Sequence, residues 1–207
     1  MTKKLSDLFF SNRTYHVLPF LYERCVPTPL INPKLIHYNK KLAHQLDLSE
    51  SEFYKNSTLQ FLNGNLNFEG VDYRSSFYAG HQFGHMVKKL EDGRAIKIGE
   101  IKTDTNEYFE LQLKGSGLTP FSRMGDGKAV LRSSIREYLA SAHLQALNIP
   151  TTEALSLISG DDKVFREEVE LSAIVLRCAP SFLRFGHFEY YYYQNDLEKK
   201  KKLLDGT

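Results

Sequence analysis

The stretch ELQLKGSGLTPFSRMGDGKAVLRSSIREYL, from Glu110 to Leu139, decides the fold of this chain. Its first residues alternate between polar and apolar side chains, which predicts a β-strand that ends at Lys114. A loop rich in glycine and serine, 115–127, follows this strand, and a helical pattern then extends over about 128–147. The residues expected to form the buried stripe of the helix are Ile135, Tyr138, Leu139 and Ala142.

More strands are predicted on both sides of this stretch. The alternation over 95–99 predicts a strand that pairs antiparallel with the first one through the polar turn 103–106. Two further strands are predicted at 155–158 and 171–177, and the first of them should end in the turn 159–162, where glycine supplies a positive φ. The sequence therefore predicts an α+β fold in which an antiparallel sheet of at least four strands has one long helix inserted.

The two ends of the chain have different patterns. The segment 12–48 is rich in proline, which favours extended or turn backbone, so this segment is expected to wrap around a surface. Asn32 and Pro33 are expected to open a short helix. From Ser181 onward the chain is aromatic and helical. Its last part, Leu197 to Thr207, predicts a charged helix with four consecutive lysines and with neither a cap nor an apolar contact.

Composition favours a globular protein without a large overall charge. Of the 207 residues, 42% are hydrophobic, which is enough for a packed core. The 27 basic and 25 acidic residues leave a formal charge of +2, which gives no attraction to nucleic acid or to an anionic membrane. Cys25 and Cys178 match no metal-ligand spacing, and the sequence contains neither a secretion signal nor a membrane-spanning stretch. A cytoplasmic location with free thiols is expected.

A lysine and a glutamate in the central stretch indicate a nucleotide site. Lys114 ends the strand, and Glu137 lies 23 residues later in the helix. In kinase-like folds such a pair holds a cation against nucleotide phosphates, because the carboxylate fixes an otherwise mobile ammonium. The alternative is that both residues are solvated surface charges.

The loop between these two residues favours the nucleotide interpretation. Its glycines expose backbone N–H groups, and basic residues crowd the start of the helix, where the helix dipole already favours anions. The glycines are Gly115, Gly117, Gly125 and Gly127, and the basic residues are Arg123, Lys128 and Arg132. Asp126 occupies the position of a helix N-cap, and capping alone would explain it. The loop suits a polyphosphate, although glycine-rich loops are often only turns.

Two other groups of residues are candidates for phosphate contacts. Gly93 and Arg94 follow Asp92 at a hairpin tip, where backbone and a guanidinium can lie over phosphate, although Asp-Gly is also an ordinary hairpin turn. Arg177 ends a strand and Arg184 lies near a helix start. Guanidinium groups bind phosphate oxygens in a bidentate way, but two such arginines alone are more often surface charge.

Two further patterns are assigned no functional role. His81 and His85 are four residues apart, as metal ligands on one helix face would be, but the neighbouring glycines disfavour a helix and no third ligand is placed. Stacking or hydrogen bonding in the core is favoured instead. The lysine run 199–202 lacks interleaved aromatic residues, which favours a solvated terminus over a nucleic-acid contact.

Several of these motifs resemble the selenoprotein O (SelO or YdiU) family. They are YAGHQFG at 78–84, DGRA at 92–95, LQLKGSGLTPFSRMGDGKAVLRSSIREYL at 111–139, IPTTEALSL at 149–157 and RCAPSFLRFGHFE at 177–189. The opening PTPLINPKLIHYNKKLAHQLDL at 27–48 is also similar to that family. The resemblance therefore covers nearly the whole chain.

The resemblance implies a protein-kinase-like fold. Residues 1–70 would be an N-terminal family-specific segment, 71–180 a kinase-like N-lobe with the nucleotide site and an αC-type helix, and 181–207 the start of a C-terminal lobe that is largely absent. In that family ATP lies in a flipped orientation, AMP passes to Ser, Thr or Tyr hydroxyls of protein substrates, and pyrophosphate leaves. The family's ATP-contacting positions match Gly93, Arg94, Lys114, Asp126, Gly127, Arg177 and Arg184, and Glu137 matches the partner of the lysine.

Two features depart from the family pattern. Glu91 stands where the family commonly has glycine, and it adds a side chain and a negative charge beside the phosphates. Family members are also much longer, so the catalytic base and the Asn and Asp that hold Mg²⁺ are expected beyond Thr207, and no catalytic or metal-binding residue is assigned here. This chain alone is expected to bind ATP with negligible turnover. Its oligomeric state is not predicted.

Two alternatives to an adenylyltransferase remain open on the sequence. One is a non-catalytic nucleotide-binding or protein-interaction module from a truncated gene. The other is a conventional kinase, which leaves Arg177 and Arg184 unexplained.

Overall fold

The computed structural model describes residues 2–88, 90 and 92–206. Its β-strands are β1 (Phe9–Phe10), β2 (Tyr22–Arg24), β3 (Lys34–Tyr38), β4 (Arg74–Ser76), β5 (Gly80–Gln82), β6 (His85–Val87), β7 (Ala95–Lys102), β8 (Tyr108–Lys114), β9 (Ala129–Val130), β10 (Glu153–Phe165) and β11 (Val169–Ala179). Its α-helices are α1 (Arg13–Val17), α2 (Lys40–Gln45), α3 (Asn56–Leu62), α4 (Leu131–Ala146), α5 (Phe185–Tyr193) and α6 (Leu197–Asp205). Short 3₁₀ helices lie at Leu5–Asp7, Pro19–Leu21 and Glu50–Tyr54.

Within the described residues, nine of these strands form one sheet in which every strand pairing is antiparallel. The strands follow the order β2-β4-β7-β8-β11-β10-β3, while β1 pairs with β7 and β9 pairs with β11. β5 and β6 form a separate hairpin, and α4 packs against β10 and β11. The predicted α+β class, with an antiparallel sheet and an inserted helix, is confirmed.

The central strands are fixed by a buried core. Leu111, Leu113, Ile96 and Ile98 on β7 and β8 are at most 1% exposed, and they pack with residues of α2 and α3. Burying each such side chain stabilises the fold by about 1.5–3 kcal/mol. Polar side chains at the ends of these strands are therefore held on a rigid support.

The N-terminal segment joins the sheet instead of only wrapping around it. β3 pairs with β10, and α2 begins after Asn39, whose side chain accepts a hydrogen bond of 3.1 Å from the N–H of Leu42. The prediction that Asn32 opens a helix is wrong, because the residues that follow it pair with the open edge of β10. Edge pairing outweighs a weak local helical preference.

The two long strands β10 and β11 extend beyond their predicted limits, and the predicted turn at 159–162 is wrong. Both strands continue past this point, and the chain reverses over 166–168. The pairing register of β10 with β11 shifts between Ser159 and Lys163, and this irregularity accommodates the polar residues 159–162 within the strand. The carboxylate of Asp162 also accepts a hydrogen bond of 2.6 Å from the N–H of Ile31. This tertiary contact stabilises an extended backbone in a segment whose local sequence favours a turn.

The predicted buried stripe of α4 is wrong in part. Tyr138 is buried, but Ile135 and Leu139 are 38% and 62% exposed, and Ala142 is exposed as well. The buried face carries Ser134, Tyr138 and Ser141 instead. Tyr138 packs against Ala154, Leu157, Ala173 and Val175 of the sheet, and this packing holds the helix that carries Glu137 against the strands.

The last two helices pack against the N-terminal segment. Asp196 caps α6 by accepting a hydrogen bond of 3.0 Å from a backbone N–H of the first turn. Leu203 is fully buried with Leu18, Leu21 and Tyr191. The prediction of a final helix without cap or apolar contact is wrong, because the leucines that cover it lie near the opposite end of the sequence.

Candidate functional site

A cleft of about 500 Å³ opens where β7 begins, β8 ends and the loop 115–127 folds over the sheet. This volume is typical of small-molecule sites. The residues that the sequence assigns to nucleotide binding line this cleft, namely Gly93, Arg94, Lys114, Asp126, Gly127, Arg177 and Arg184. Among the described lining residues, the basic ones are Arg94, Lys114, Arg123, Lys128, Arg166, Arg177 and Arg184, and the acidic ones are Asp92 and Asp126. The cleft therefore attracts anions.

Lys114 on β8 and Glu137 on α4 form the predicted ion pair. The ammonium of Lys114 donates to one carboxylate oxygen of Glu137, and Arg177 on β11 donates to the other oxygen at 3.4 Å. Burial lowers the pKa of the Lys114 ammonium, and Glu137 acts against this shift. Two half-buried cations therefore share one carboxylate, which leaves an unbalanced positive charge in the cleft.

Arg177 has an unused hydrogen-bond donor. Its side chain is 13% exposed, and burial lowers its pKa. Its Nη2 donates to Oε1 of Gln112, but its Nε is buried without a hydrogen-bond partner among the described residues. A buried donor without an acceptor costs free energy, so the hydrogen bonds of Arg177 do not fully compensate for its burial.

The turn that contains Gly93 is clamped against the glycine-rich loop. Thr119 Oγ1 donates to the carbonyl of Asp92 at 2.9 Å, and Ser122 Oγ donates to the carbonyl of Gly93 at 2.5 Å. A Cβ on Gly93 would lie 3.1 Å from the carbonyl oxygen of Phe121. The absence of a side chain therefore lets the two backbone segments form one wall of the cleft.

Gly127 is required by its conformation. Its φ is +69°, and a Cβ would lie 2.1 Å from the carbonyl carbon and oxygen of Gly117. The N–H of Gly117 donates to the carbonyl of Gly127 at 3.1 Å. Only glycine fits here, and the loop folds back on itself because of it.

Asp126 does not cap α4, as the sequence suggested, because α4 begins after Val130. Its carboxylate instead accepts two hydrogen bonds of 2.8 Å from Arg166 and one of 3.0 Å from the N–H of Lys128. The Arg166 guanidinium lowers the pKa of Asp126. Asp126 therefore ties the loop to the turn between β10 and β11.

Arg184 lies at the mouth of the cleft, immediately before α5. Its guanidinium carbon is 5.1 Å from the centre of the Tyr78 ring, which is a cation–π geometry. Its backbone N–H donates to Nδ1 of His187 at 2.9 Å. The side chain of His187 is buried, and burial lowers its pKa to about 4. A neutral histidine thus fixes the backbone of Arg184.

Arg166 lines the cleft, but the sequence pattern does not predict it. It lies in the turn 166–168, and the predicted strands placed their turn elsewhere. An isolated arginine beside Glu167 and Glu168 carries no local signal of a binding site. Other lining residues without such a signal are Tyr78, Gln82, Leu90 and Ser122.

His81 and His85 lie on opposite strands of the β5–β6 hairpin. In the part of the chain that the structure describes, no group of three or more His, Cys, Asp or Glu residues could hold a metal ion. The expectation about Glu91 falls outside the described residues. None of the described helices has both the length and the apolar composition needed to cross a membrane.

The protein has an α+β fold with a cleft that is lined mainly by basic side chains. The model of the family described as "Protein adenylyltransferase SelO" matches residues 4–207. The protein nucleotidyltransferase YdiU of Thiobacillus denitrificans is 47% identical over 201 residues, which are 97% of this chain and 41% of that protein. The same-named protein of Photobacterium profundum is 46% identical over 204 residues, 98% of this chain and 40% of that protein.

The chain belongs to the SelO family of protein adenylyltransferases. A third relative, the YdiU nucleotidyltransferase of Bordetella avium, is 44% identical over 205 residues, or 99% of this chain and 42% of its own length. The chain spans about two-fifths of the length of these curated relatives.

Proposed function

We propose that the cleft binds the phosphates of ATP and that this chain forms the nucleotide-binding part of a protein adenylyltransferase. In the proposed reaction AMP passes from ATP to a hydroxyl group of a protein, and pyrophosphate leaves. The observation that carries the proposal is the shared carboxylate of Glu137, which holds Lys114 and Arg177 on one side of a basic cleft. The family and the names of the relatives supply the transfer of a nucleotide to protein.

The proposal includes a kinase-like N-lobe. β7, β8, β11 and β10 are adjacent antiparallel strands, and α4 is inserted between β8 and β10 in the sequence. A lysine on a central strand that pairs with a glutamate on the inserted helix supports this assignment. The boundaries 1–70, 71–180 and 181–207 belong to the same proposal.

The residues of this chain would act by position and charge. Lys114, Arg177 and Arg184 would neutralise the triphosphate, and the loop that includes Gly127 would supply backbone N–H groups. Charge on the pyrophosphate grows as it leaves, so cations held in place beforehand stabilise the transition state.

The described carboxylates that line the cleft or pair with its cations do not fit a magnesium ion. Glu137 is shared by two cations, Asp126 accepts three hydrogen bonds and is paired with Arg166, and Asp92 accepts three hydrogen bonds in the interior. Mg²⁺ needs carboxylate oxygens that are free to coordinate it. We therefore assign phosphate binding, and not metal binding or proton transfer, to the described residues and expect negligible AMP transfer by this chain alone.

Calorimetric titration with ATP tests the proposal. The wild type should bind ATP, and Lys114→Ala should weaken binding by about tenfold or more, because a charge-assisted contact to phosphate is lost. Lys34→Ala is the matched control, since Lys34 is an exposed strand lysine on β3 and should leave the affinity unchanged. If the wild type does not bind ATP, or if Lys114→Ala binds as the wild type does, the proposal is wrong.

A second measurement tests the assignment of phosphate binding without catalysis to the described residues. The chain is incubated with ATP labelled at the α-phosphate and with a generic acceptor protein. Binding without label transfer is the expected result, whereas strong transfer would contradict the assignment of residue roles.

A further inference from the structure

One carboxylate in the lining of the cleft is almost fully buried. Asp92 is 6% exposed, and its two oxygens accept three hydrogen bonds from side chains. The donors are Ser76 Oγ at 2.9 Å, Tyr78 OH at 3.2 Å and Gln112 Nε2 at 3.1 Å. Burying a carboxylate whose hydrogen-bond donors are all neutral costs free energy.

Two of these donors each hold one arginine of the cleft. The amide oxygen of Gln112 accepts a hydrogen bond from Nη2 of Arg177. The ring of Tyr78 lies 5.1 Å from the guanidinium carbon of Arg184. Asp92 is therefore connected to both arginines through one intermediate side chain in each case.

The carboxylate determines which way these intermediates point. An ionised carboxylate only accepts hydrogen bonds, so the NH₂ end of the Gln112 amide must face Asp92. The oxygen of the amide then faces Arg177, which only donates. In the same way the Tyr78 hydroxyl must donate to Asp92, and this bond fixes the ring beneath Arg184.

We infer that Asp92 is a positioning residue that orients Arg177 through Gln112 and Arg184 through Tyr78 toward the phosphates of the nucleotide. This inference rests on the proposed ATP site. Asp92 itself touches no phosphate in this scheme. Burial raises the pKa of Asp92, and the positive charges of Arg184 and Arg177 act against that shift.

The sign of the effect on affinity separates positioning from simple electrostatics. If Asp92 acted only through its charge, its neutralisation would make the cleft more positive and would strengthen ATP binding. If Asp92 positions the arginines, Asp92→Asn allows the Gln112 amide to turn over and weakens ATP binding. We expect a loss of about tenfold for Asp92→Asn.

Tyr78→Phe is the second variant and keeps the test valid if Asp92→Asn does not fold. It removes the hydroxyl that Asp92 holds but keeps the ring under Arg184, so we expect a loss of about threefold in ATP affinity. The same substitution in an Arg184→Ala background should have no further effect, because the residue it positions is gone. Likewise Asp92→Asn should reduce ATP affinity by a smaller factor in an Arg177→Ala background than in the wild type.

A merely structural role predicts other results. Additive losses in the double variants, with melting temperatures of the ligand-free proteins lowered in parallel, would overturn the inference. Tighter ATP binding by Asp92→Asn would also overturn it.

A ligand-free measurement distinguishes this failure from failure of the proposed function. The side-chain Nε–H signal of Arg177 in a ¹H–¹⁵N spectrum should shift and broaden in Asp92→Asn, because the guanidinium loses its fixed orientation. An unchanged signal refutes the inference even if ATP binds. If the signal responds but the wild type does not bind ATP, the ATP site is wrong and the inference, which rests on it, falls with it.

Discussion

Nη1 of Arg177 lies 3.4 Å from Oε1 of Glu137, whose other carboxylate oxygen accepts a hydrogen bond from Lys114. One carboxylate from α4 therefore joins cations from two neighbouring strands. α4 packs on the sheet through Ser134, Tyr138 and Ser141, and this packing positions the Glu137 carboxylate that both cations share. The position of this helix sets the geometry of the cleft.

Neutralising this carboxylate should change the pH dependence of ATP binding. Burial already lowers the pKa of Lys114 and Glu137 opposes this effect, so Glu137→Gln should lower the pKa further. At the proposed site ATP affinity should fall as pH rises through the pKa of the ammonium, so the midpoint of this loss should move to lower pH in the variant. Calorimetry between about pH 6 and pH 10 measures it. Glu170→Gln, which removes the partner of Arg132 on the outer face of α4, should keep the wild-type midpoint.

Alanine at Gly127 should disrupt the loop. Its Cβ would collide with the backbone of Gly117, so we expect a loss of about 3 kcal/mol or more in the free energy of unfolding, together with loss of ATP binding. Gly84→Ala is the control, because Gly84 also has a positive φ, +77°, but no described atom lies within 4 Å of the added Cβ. It should cost only about 1 kcal/mol of backbone strain. Equal losses in urea unfolding would contradict the steric explanation.

The buried pair of Lys97 and Glu110 should be important for stability. Their side chains are 3% and 1% exposed, and Nζ lies 2.5 Å from Oε1. The same glutamate accepts hydrogen bonds of 2.7 Å from Thr14 Oγ1 and from the N–H of Phe182, so it joins the N-terminal segment to the chain after β11. Glu110→Gln leaves a buried ammonium without its counter-charge.

We expect Glu110→Gln to lower the free energy of unfolding by about 3–5 kcal/mol in denaturant titration. The exposed pair of Lys202 and Glu198 provides the control, and Glu198→Gln should cost about 0.5 kcal/mol or less. A loss of that small size in Glu110→Gln would show that the buried pair contributes little.

His187 should make the protein less stable in mild acid. Burial lowers its pKa to about 4, whereas an unfolded histidine has a pKa of about 6.5. The unfolded state therefore binds a proton first as pH falls, so stability is complete above about pH 6.5 and is lost progressively toward pH 4. At pH 5 the loss from this residue should be roughly 2 kcal/mol.

His187→Asn should reduce the dependence of the unfolding free energy on pH while keeping an acceptor for the N–H of Arg184. Unfolding free energies at pH 7.5 and pH 5 measure the difference. His143→Asn, on the exposed face of α4, is the matched control and should retain the slope of the wild type. If His187→Asn retains it too, the buried histidine does not titrate as described.

Local patterns predicted the strand that ends at Lys114, the loop after it and the helix that carries Glu137, and they failed where tertiary contacts decided the outcome. The residues after Asn32 became a strand because β10 offers an open edge. The segment 159–162 stayed extended because Asp162 bonds to Ile31, far away in the sequence. Neither contact leaves a signal in the neighbouring residues.

By itself the sequence determined the order of strand, glycine-rich loop and helix. This order also placed Lys114 at the end of the strand and Glu137 in the helix. The reason is that alternation, helical spacing and glycine content act over a few neighbouring residues. Only the tertiary structure decided that Arg166 reaches the loop and that Asp92 lies behind two arginines. The reason is that burial and hydrogen bonding depend on which distant segments meet, and such meetings are fixed by the packing of the whole sheet and its core.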